Sequence, residues 1–336
     1  MFKIVAWLCT MLGALAVSSP AIYAQSETLD ELYKKALKEE GVLNCYCSLA
    51  QINAEIIYPL FEKRFPGLKI NHVDATSDKL AARAITEARG GKTIADVIEF
   101  GLEDINKLFD QGLLLERVPP EAAGYPANLR GPYWIANNLI FFVGAWNTEK
   151  VKKDEEPKFL DDFGDPRWKG RLIAEPRDYE ILIALTHKHG SPEKARAVLA
   201  RIAANNVEFH KGHSQLAELL VAGQAAACFT CYSHHYPSRK RKGAPVDYML
   251  TEGAAGIIGV AVLKNAPHPN TAWLFNRWAA SEEGQKVYSQ GGRTPAHPKV
   301  EPKENIRPKT IYAVGVEDLK QYGKFEKIWK EVFKLR

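Results

Sequence analysis

Residues 42–111, VLNCYCSLAQINAEIIYPLFEKRFPGLKINHVDATSDKLAARAITEARGGKTIADVIEFGLEDINKLFDQ, decide the fold. Short β-rich runs alternate in this stretch with longer runs of helical spacing. Val42–Ser48 reads as a strand, Ile52–Phe65 as a helix, Leu68–Ala75 as a strand and Asp78–Arg89 as a helix; Ala95–Phe100 is a third strand, followed by a helix to Gln111. Leu80, Ala81, Ala84, Ile85 and Ala88 recur at three and four, with Ser77 placed as N-cap, and Pro66-Gly67 and Gly90-Gly91 punctuate the units. A βαβαβα series predicts an α/β fold on a mostly parallel sheet with helices on both faces.

Outward from this stretch the pattern repeats. After a Pro- and Gly-rich run at Pro119–Pro132, strands are expected at Leu139–Trp146, Arg171–Ala174, Ala225–Tyr232 and Gly256–Leu263, and helices at Tyr179–His189, Pro192–Asn205 and Gln215–Ala222. Two α/β lobes are the economical result, which suits 336 residues at roughly 100–200 per domain. With 46% hydrophobic and 25% charged residues, the chain is neither fibrous nor disordered in composition. The formal net charge of +5 is too mild and too scattered for a nucleic-acid footprint, and no nucleic-acid partner is expected. One basic run, Arg239-Lys240-Arg241-Lys242, is expected on the exposed face of a helix.

The first 24 residues have the parts of a cleaved secretory signal: Lys3, an apolar run from Ile4 to Val17, and a small residue at Ala24. Export to the periplasm makes disulfides possible for Cys45, Cys47, Cys228 and Cys231, and four cysteines allow three connectivities. On a strand Cys45 and Cys47 point to one face, whereas Cys228 and Cys231 point to opposite faces, so a bond within either pair is strained unless the strand has ended. Structural disulfides or buried thiols are expected, with Cys228 inside its strand and Cys231 near a cleft rim. A soft-metal set of Cys45, Cys47, Cys231 and His234 is the alternative. Cys228-Phe229-Thr230-Cys231 also has thioredoxin spacing.

Ligands of open α/β sheets bind beyond the carboxyl ends of strands, and two facing lobes make a cleft there. Tyr46 and Ser48, Asp178 and Tyr179, and Tyr232–Tyr236 stand at such ends, each shortly before a helix. A helix N-terminus offers free N–H groups and partial positive charge, which suits an anionic solute. His187, His189, His210 and His213 lack the H-E-x-x-H spacing and are expected as surface or capping histidines; no G-x-S-x-G elbow and no G-x-x-x-x-G-K-[ST] phosphate loop occurs.

Several segments carry a resemblance: Glu40-Gly41-Val42-Leu43 leading into Tyr46-Cys47-Ser48, Phe61–Gly67, Ala95-Asp96-Val97, Trp146-Asn147-Thr148 and Asp165–Gly170, then Lys242–Val246, Ala266–Asn270, Ser281–Gln285 and Arg293-Thr294-Pro295. In order and spacing over about residues 31–300, the chain resembles the extracellular solute-binding proteins of ABC importers, in the family that includes the ferric-iron-binding proteins. The resemblance implies a two-lobed, type II-like periplasmic-binding-protein fold that closes about a hinge on its solute and delivers it to an ABC permease in the inner membrane. It also implies a first lobe of residues 25–130 plus 253–292 and a second of 131–252 plus 293–336, a monomer, no cofactor and no catalytic activity.

Iron-binding members place a Tyr-Tyr pair where this chain has Ser233-His234, and Phe100 stands where relatives have a small polar residue. The expectation is therefore a small, anionic organic solute in a cleft lined by Tyr46, Ser48, Ser77, Phe100, Asp178, Tyr179, Tyr232 and His234, with no metal ligand among them. Phe100 and the tyrosines would form an aromatic wall. An iron(III) or other metal receptor is the alternative, and a periplasmic thiol-disulfide oxidoreductase is the alternative of another class.

Overall fold

A computed structural model describes residues 27–304 and 306–336; the expected signal, residues 1–24, lies outside them. Helix α1 (Leu29–Ala36) starts at Thr28, whose hydroxyl accepts from the Glu31 N–H at 3.1 Å while Glu31 accepts from the Thr28 N–H at 2.8 Å. This reciprocal cap satisfies two N–H groups that the helix leaves free.

The alternating series follows: β1 (Val42–Cys47), α2 (Gln51–Arg64), β2 (Lys69–Val73), α3 (Ser77–Arg89), β3 (Val97–Gly101) and α4 (Leu102–Asp110). Strand β1 enters through Gly41 at φ +73°, where a Cβ would stand 2.7 Å from the Gly67 carbonyl oxygen, so only glycine lets the two turns meet. Asp96, fully buried before β3, accepts from the N–H of Asn44 and of His268 at 2.7 Å each and from His268 Nδ1 at 2.9 Å. Thr76, and not Ser77, is the N-cap of α3; Ser77 is the first helical residue, and its hydroxyl accepts from the Gly101 N–H at 3.4 Å.

The long strand β4 (Ile135–Asn147) opens the second series of β5 (Leu172–Ala174), α5 (Tyr179–His189), α6 (Pro192–Ala203), β6 (Glu208–Phe209), α7 (His213–Val221) and β7 (Ala227–Tyr232). The chain continues through α8 (Pro237–Arg241), β8 (Val246–Tyr248), β9 (Glu252–Val262), α9 (Pro269–Ala280), α10 (Glu282–Gln290), β10 (Thr294–Pro295), β11 (Thr310–Ala313), α11 (Val316–Lys320) and α12 (Tyr322–Phe333).

One sheet runs β2-β1-β3-β9-β4-β7-β5-β6. Its edges are parallel, as the βα alternation requires, but its centre is not. Strand β9 is antiparallel to both β3 and β4, and β4 is antiparallel to β7. A mostly parallel sheet is thus corrected to a mixed one.

The two central strands also join two hydrophobic cores. One gathers Leu43, Phe61, Ile105, Val260 and Trp278; the other gathers Phe163, Trp168, Leu182, Phe229 and Trp329. Residues Ile135 and Ala136 of β4 belong to the first and Phe142 and Trp146 to the second, while β9 contributes Ala254 to the second and Val260–Val262 to the first.

Both cysteine pairs close locally, Cys45 with Cys47 and Cys228 with Cys231. The β4–β7 ladder explains how Cys228 and Cys231 come to one side. Val143 pairs with Cys231 and Ala145 with Cys228, so three steps along β7 answer two along β4. This bulge breaks the alternation that would send the two side chains to opposite faces. Cys231, expected near a rim, is fully buried, as is Cys228.

Candidate functional site

The carboxyl ends of β3, β5 and β7 and the N-termini of α3, α4 and α5 meet where the two cores face each other. The guanidinium of Arg177, on the loop from β5 to α5, reaches Asp78 in the first turn of α3 at 3.1 Å and Glu175 on its own loop at 3.7 Å. Thr230 of β7 holds that loop by accepting from the Glu175 N–H at 3.0 Å.

On the second core's side, Tyr232 lies half-buried between aromatic neighbours. Its ring stacks on His213 at a centroid distance of 3.4 Å and 10° between planes, and meets Phe142 edge-on at 5.0 Å. His213 Nε2 contacts Asp178 Oδ2 at 3.0 Å. His234 Nε2 accepts from Arg293 at 2.8 Å, and Arg293 also donates to Asn138 Oδ1 at 2.8 Å. Burial lowers His213 to about 4. Burial, then Arg293, push His234 well below the usual histidine range, and burial, then His213 and Arg239, do the same to His235. All three rings are neutral at pH 7.

Acids dominate the rest. Glu103 and Glu180 each occupy the second position of their helices, α4 and α5. Burial, then Asp104 and Glu180, push Glu103 up to about 8. Burial, then Asp178, push Glu180 up to about 8, although Tyr322 donates to Glu180 Oε1 at 3.0 Å. Burial also raises Glu175 and Asp178. Burial works against the Asp78 carboxylate too, but Thr76 and Arg177 outweigh it and hold it below the usual range.

The first turns of the helices expected to receive an anion thus carry acidic side chains of the chain itself, Asp78, Glu103 and Glu180. These groups lack sufficient countercharge, because Arg177 is already shared between Asp78 and Glu175.

Of the residues expected in the cleft, the structure gathers Asp178, Tyr232 and His234 into one cluster. Ser48 and Ser77 are half-buried at the ends of β1 and the start of α3, with the Ser48 hydroxyl donating to the Glu99 carbonyl at 3.3 Å. The other three are placed elsewhere. Tyr46 is 1% exposed and donates to Glu87 on α3 at 2.6 Å, with Arg83 over its ring. Phe100 is fully buried in the first core and supplies no wall. Tyr179 packs against Tyr322 and Trp329 of α12.

His213 was missed, being read as a surface or capping ring; its signal is a helix opening directly after a short strand and Gly212 at φ +95°. Glu103 and Glu180 were missed as well. Their signal is an acidic residue at the second helical position after a strand end, in Gly101-Leu102-Glu103 and Asp178-Tyr179-Glu180.

The proposed four-member metal set does not assemble, since β3, β9 and β4 separate β1 from β7, about 19 Å at the usual strand spacing. The basic run on α8 is spent in surface ion pairs of Arg239 with Glu218, Lys240 with Asp247 and Arg241 with Glu304. Two open concavities, of about 560 Å³ on α12 and about 360 Å³ beside β5 and β6, lie outside this cluster.

A family profile described as bacterial extracellular solute-binding protein matches residues 59–313. A Synechocystis protein named iron uptake protein A2 is 23% identical over 288 residues, 77% of this chain and 79% of its own. Iron-bound HitA from Pseudomonas aeruginosa superposes with a TM-score of 0.72 at 22% identity, covering 87% of this chain and 99% of that one. AfuA from Actinobacillus pleuropneumoniae, with fructose-6-phosphate bound, gives a TM-score of 0.72 at 21% identity, covering 88% and 99%.

Proposed function

The chain belongs to the family of bacterial extracellular solute-binding proteins, and from that premise we propose that it captures a small organic solute carrying a protonated or quaternary nitrogen. As a periplasmic receptor of the ABC-import class, it hands that solute to a membrane permease. The two lobes are residues 25–130 plus 253–292 and residues 131–252 plus 293–336, with β4 and β9 as hinge strands.

The observation that carries the charge of the solute is the gathering of acids at this junction, Asp78 and Glu103 from helices of the first core and Glu175, Asp178 and Glu180 from the second, tied across by the Arg177–Asp78 pair. Burial holds Glu103 and Glu180 towards the neutral form, and Glu180 adds to the effect on Glu103. Closing two such acids together is unfavourable while they are ionised, and a cation between them reverses the sign of that term. The solute's charge is thereby converted into closure, because it interacts differently with the open and the closed form. Tyr232, backed by His213, supplies a flat face for the organic body, and an aromatic face attracts a cation.

An anionic solute, the expectation from strand ends alone, would meet the acids Asp78, Glu103 and Glu180 in the first turns of α3, α4 and α5. Ferric capture, the cargo of the HitA structure, calls for a converging set of hard donors. Ser233-His234 stand where iron-binding members have a Tyr-Tyr pair, which leaves Tyr232 without an adjacent second phenol.

A thermal-shift screen tests the proposal. Polyamines, quaternary ammonium compounds and aromatic cations are compared with carboxylates, sugar phosphates, sulfonates and ferric citrate; a ligand present at 100 times its Kd adds about 2.7 kcal/mol. Stabilisation confined to cations is the expected result. Stabilisation by sugar phosphates or ferric citrate with none by cations overturns it.

A further inference from the structure

Below the cleft, on the face of the sheet that packs against α2 and α10, lies a second group of ligand-type side chains. Cys45 and Cys47 of β1 are fully buried, and Glu99 of β3 is 1% exposed. Strand register places Cys47 directly beside Glu99. One ligand atom from each of the three lies within 4.8 Å of the others.

Glu99 is the informative member. Its Oε2 accepts from the Tyr288 hydroxyl at 2.8 Å, but its Oε1 is buried with no hydrogen-bond partner. The amide nitrogen of Asn137 is also without a partner, and the Asn137 side chain is close enough to favour the ionised Glu99, yet no hydrogen bond of good geometry joins them. A buried carboxylate oxygen without a partner costs several kcal/mol unless something positive meets it.

We propose that, in the chain with its thiols reduced, Cys45, Cys47 and Glu99 bind one divalent thiophilic cation of the zinc class. Two thiols lose their protons as two metal–sulfur bonds form, and the carboxylate supplies a metal–oxygen bond. No electrons are transferred. Two thiolates and a carboxylate leave a divalent ion with one excess negative charge, and the Arg293 guanidinium acts on Glu99 to offset it. A monovalent copper ion would leave two. Supporting groups are in place, since the Tyr58 hydroxyl is 3.9 Å from Cys45 Sγ and the Tyr288 hydroxyl orients Glu99.

The Cys45–Cys47 disulfide uses the same two sulfurs, so oxidation and metal loading exclude each other. The site does not depend on which solute the cleft takes, although Arg293 faces both Glu99 and His234.

The test uses the full chain carrying Cys228→Ser and Cys231→Ser, produced and kept under a phosphine reductant, so that one thiol pair remains. Titration with Co2+ is expected to give a sulfur-to-metal charge-transfer band saturating at one equivalent and displaced by Zn2+. Cys47→Ser should abolish the band. Glu99→Gln should keep it but weaken affinity at least tenfold, and oxidation of the thiols should release the metal. Folding of each variant is followed by circular dichroism in the same cuvette. Absence of the band in folded reduced protein overturns the proposal, as does unchanged affinity in folded Glu99→Gln.

Discussion

Arg177 and Asp78 form an ion pair at 3.1 Å that crosses from the loop of β5 and α5 to the first turn of α3, and so ties one core to the other. The two side chains are 34% and 38% exposed, which leaves the pair open to water and salt. A contact of this kind contributes about 0.5–1 kcal/mol, roughly a two- to fivefold change in the ratio of closed to open receptor. Arg177→Met is expected to raise the radius of gyration of the unliganded protein in small-angle scattering at low salt, with the difference shrinking at high salt. A radius that matches the parent at both salt levels would remove the pair from the closing device.

Glu103 and Glu180 should act as a unit on solute affinity. Each contributes a charged contact of about 1.5–3 kcal/mol, so Glu103→Gln and Glu180→Gln are each expected to weaken a bound cation by about tenfold or more. Because Glu180 disfavours the ionised form of Glu103, removing one acid relieves the other, and the double variant should lose more than the two single losses combined. Isothermal titration of all four proteins reads this directly, and strict additivity would separate the two groups.

Binding should also depend on pH in a defined direction. Both carboxyls are raised to about 8 from an ordinary value of 4.5. A raised acid stabilises the unliganded fold fully below about 4.5, and that contribution is lost as pH rises through about 8. A cation needs the ionised carboxyls, so affinity for a permanently charged ligand is expected to rise between pH 6 and 8 and to level off above. One released proton corresponds to about tenfold per pH unit. Titrations at pH 7 in buffers of different ionisation enthalpy should show proton release; proton uptake would contradict the assignment.

Asp96 anchors the first core by a different route. With three acceptor contacts to Asn44 and His268 and no exposure, its removal in Asp96→Ala leaves two buried N–H groups unmatched. The expected loss is about 3 kcal/mol in urea unfolding. Burial disfavours the charged His268 ring, but Asp96 and Glu40 outweigh it and raise its pKa. The stability gained from that pairing is full below about 6.5 and fades as pH climbs through the raised value. A parent and variant that differ equally at pH 6 and pH 9 would exclude His268 from the effect.

The alternation of strand and helix was legible because it is local: α5 begins and ends at the expected residues, and the ends of β5 and β7 did bring Asp178, Tyr232 and His234 together. What sequence left open is which face each strand residue takes. Glu99 and Phe100 are neighbours on β3, and one points towards α10 and Arg293 while the other enters the first core. Alternation fixes that they oppose each other, not which is which. The charge that the cleft favours was not legible for a similar reason, since a helix N-terminus attracts an anion less when the chain's own acids, here Asp78, Glu103 and Glu180, stand in its first turn.

Tyr232 separates an organic cation from a ferric ion most cleanly. Its ring is held by His213 at 3.4 Å and by Phe142 at 5.0 Å, so it is presented as a fixed aromatic face. If the face binds the solute, Tyr232→Phe keeps affinity within about twofold, whereas Tyr232→Leu loses about 1–2 kcal/mol, roughly 5- to 30-fold. If the phenolate oxygen binds iron, the order changes: Tyr232→Phe and Tyr232→Leu both abolish binding, and the parent takes on a visible charge-transfer band with ferric citrate. Burial and the surrounding acids hold the Tyr232 hydroxyl well above the usual tyrosine range. That opposes phenolate formation unless a metal drives it. Measuring both variants by titration with an aromatic cation, alongside the visible spectrum of the parent with ferric citrate, therefore decides between ring and oxygen as the group that does the binding.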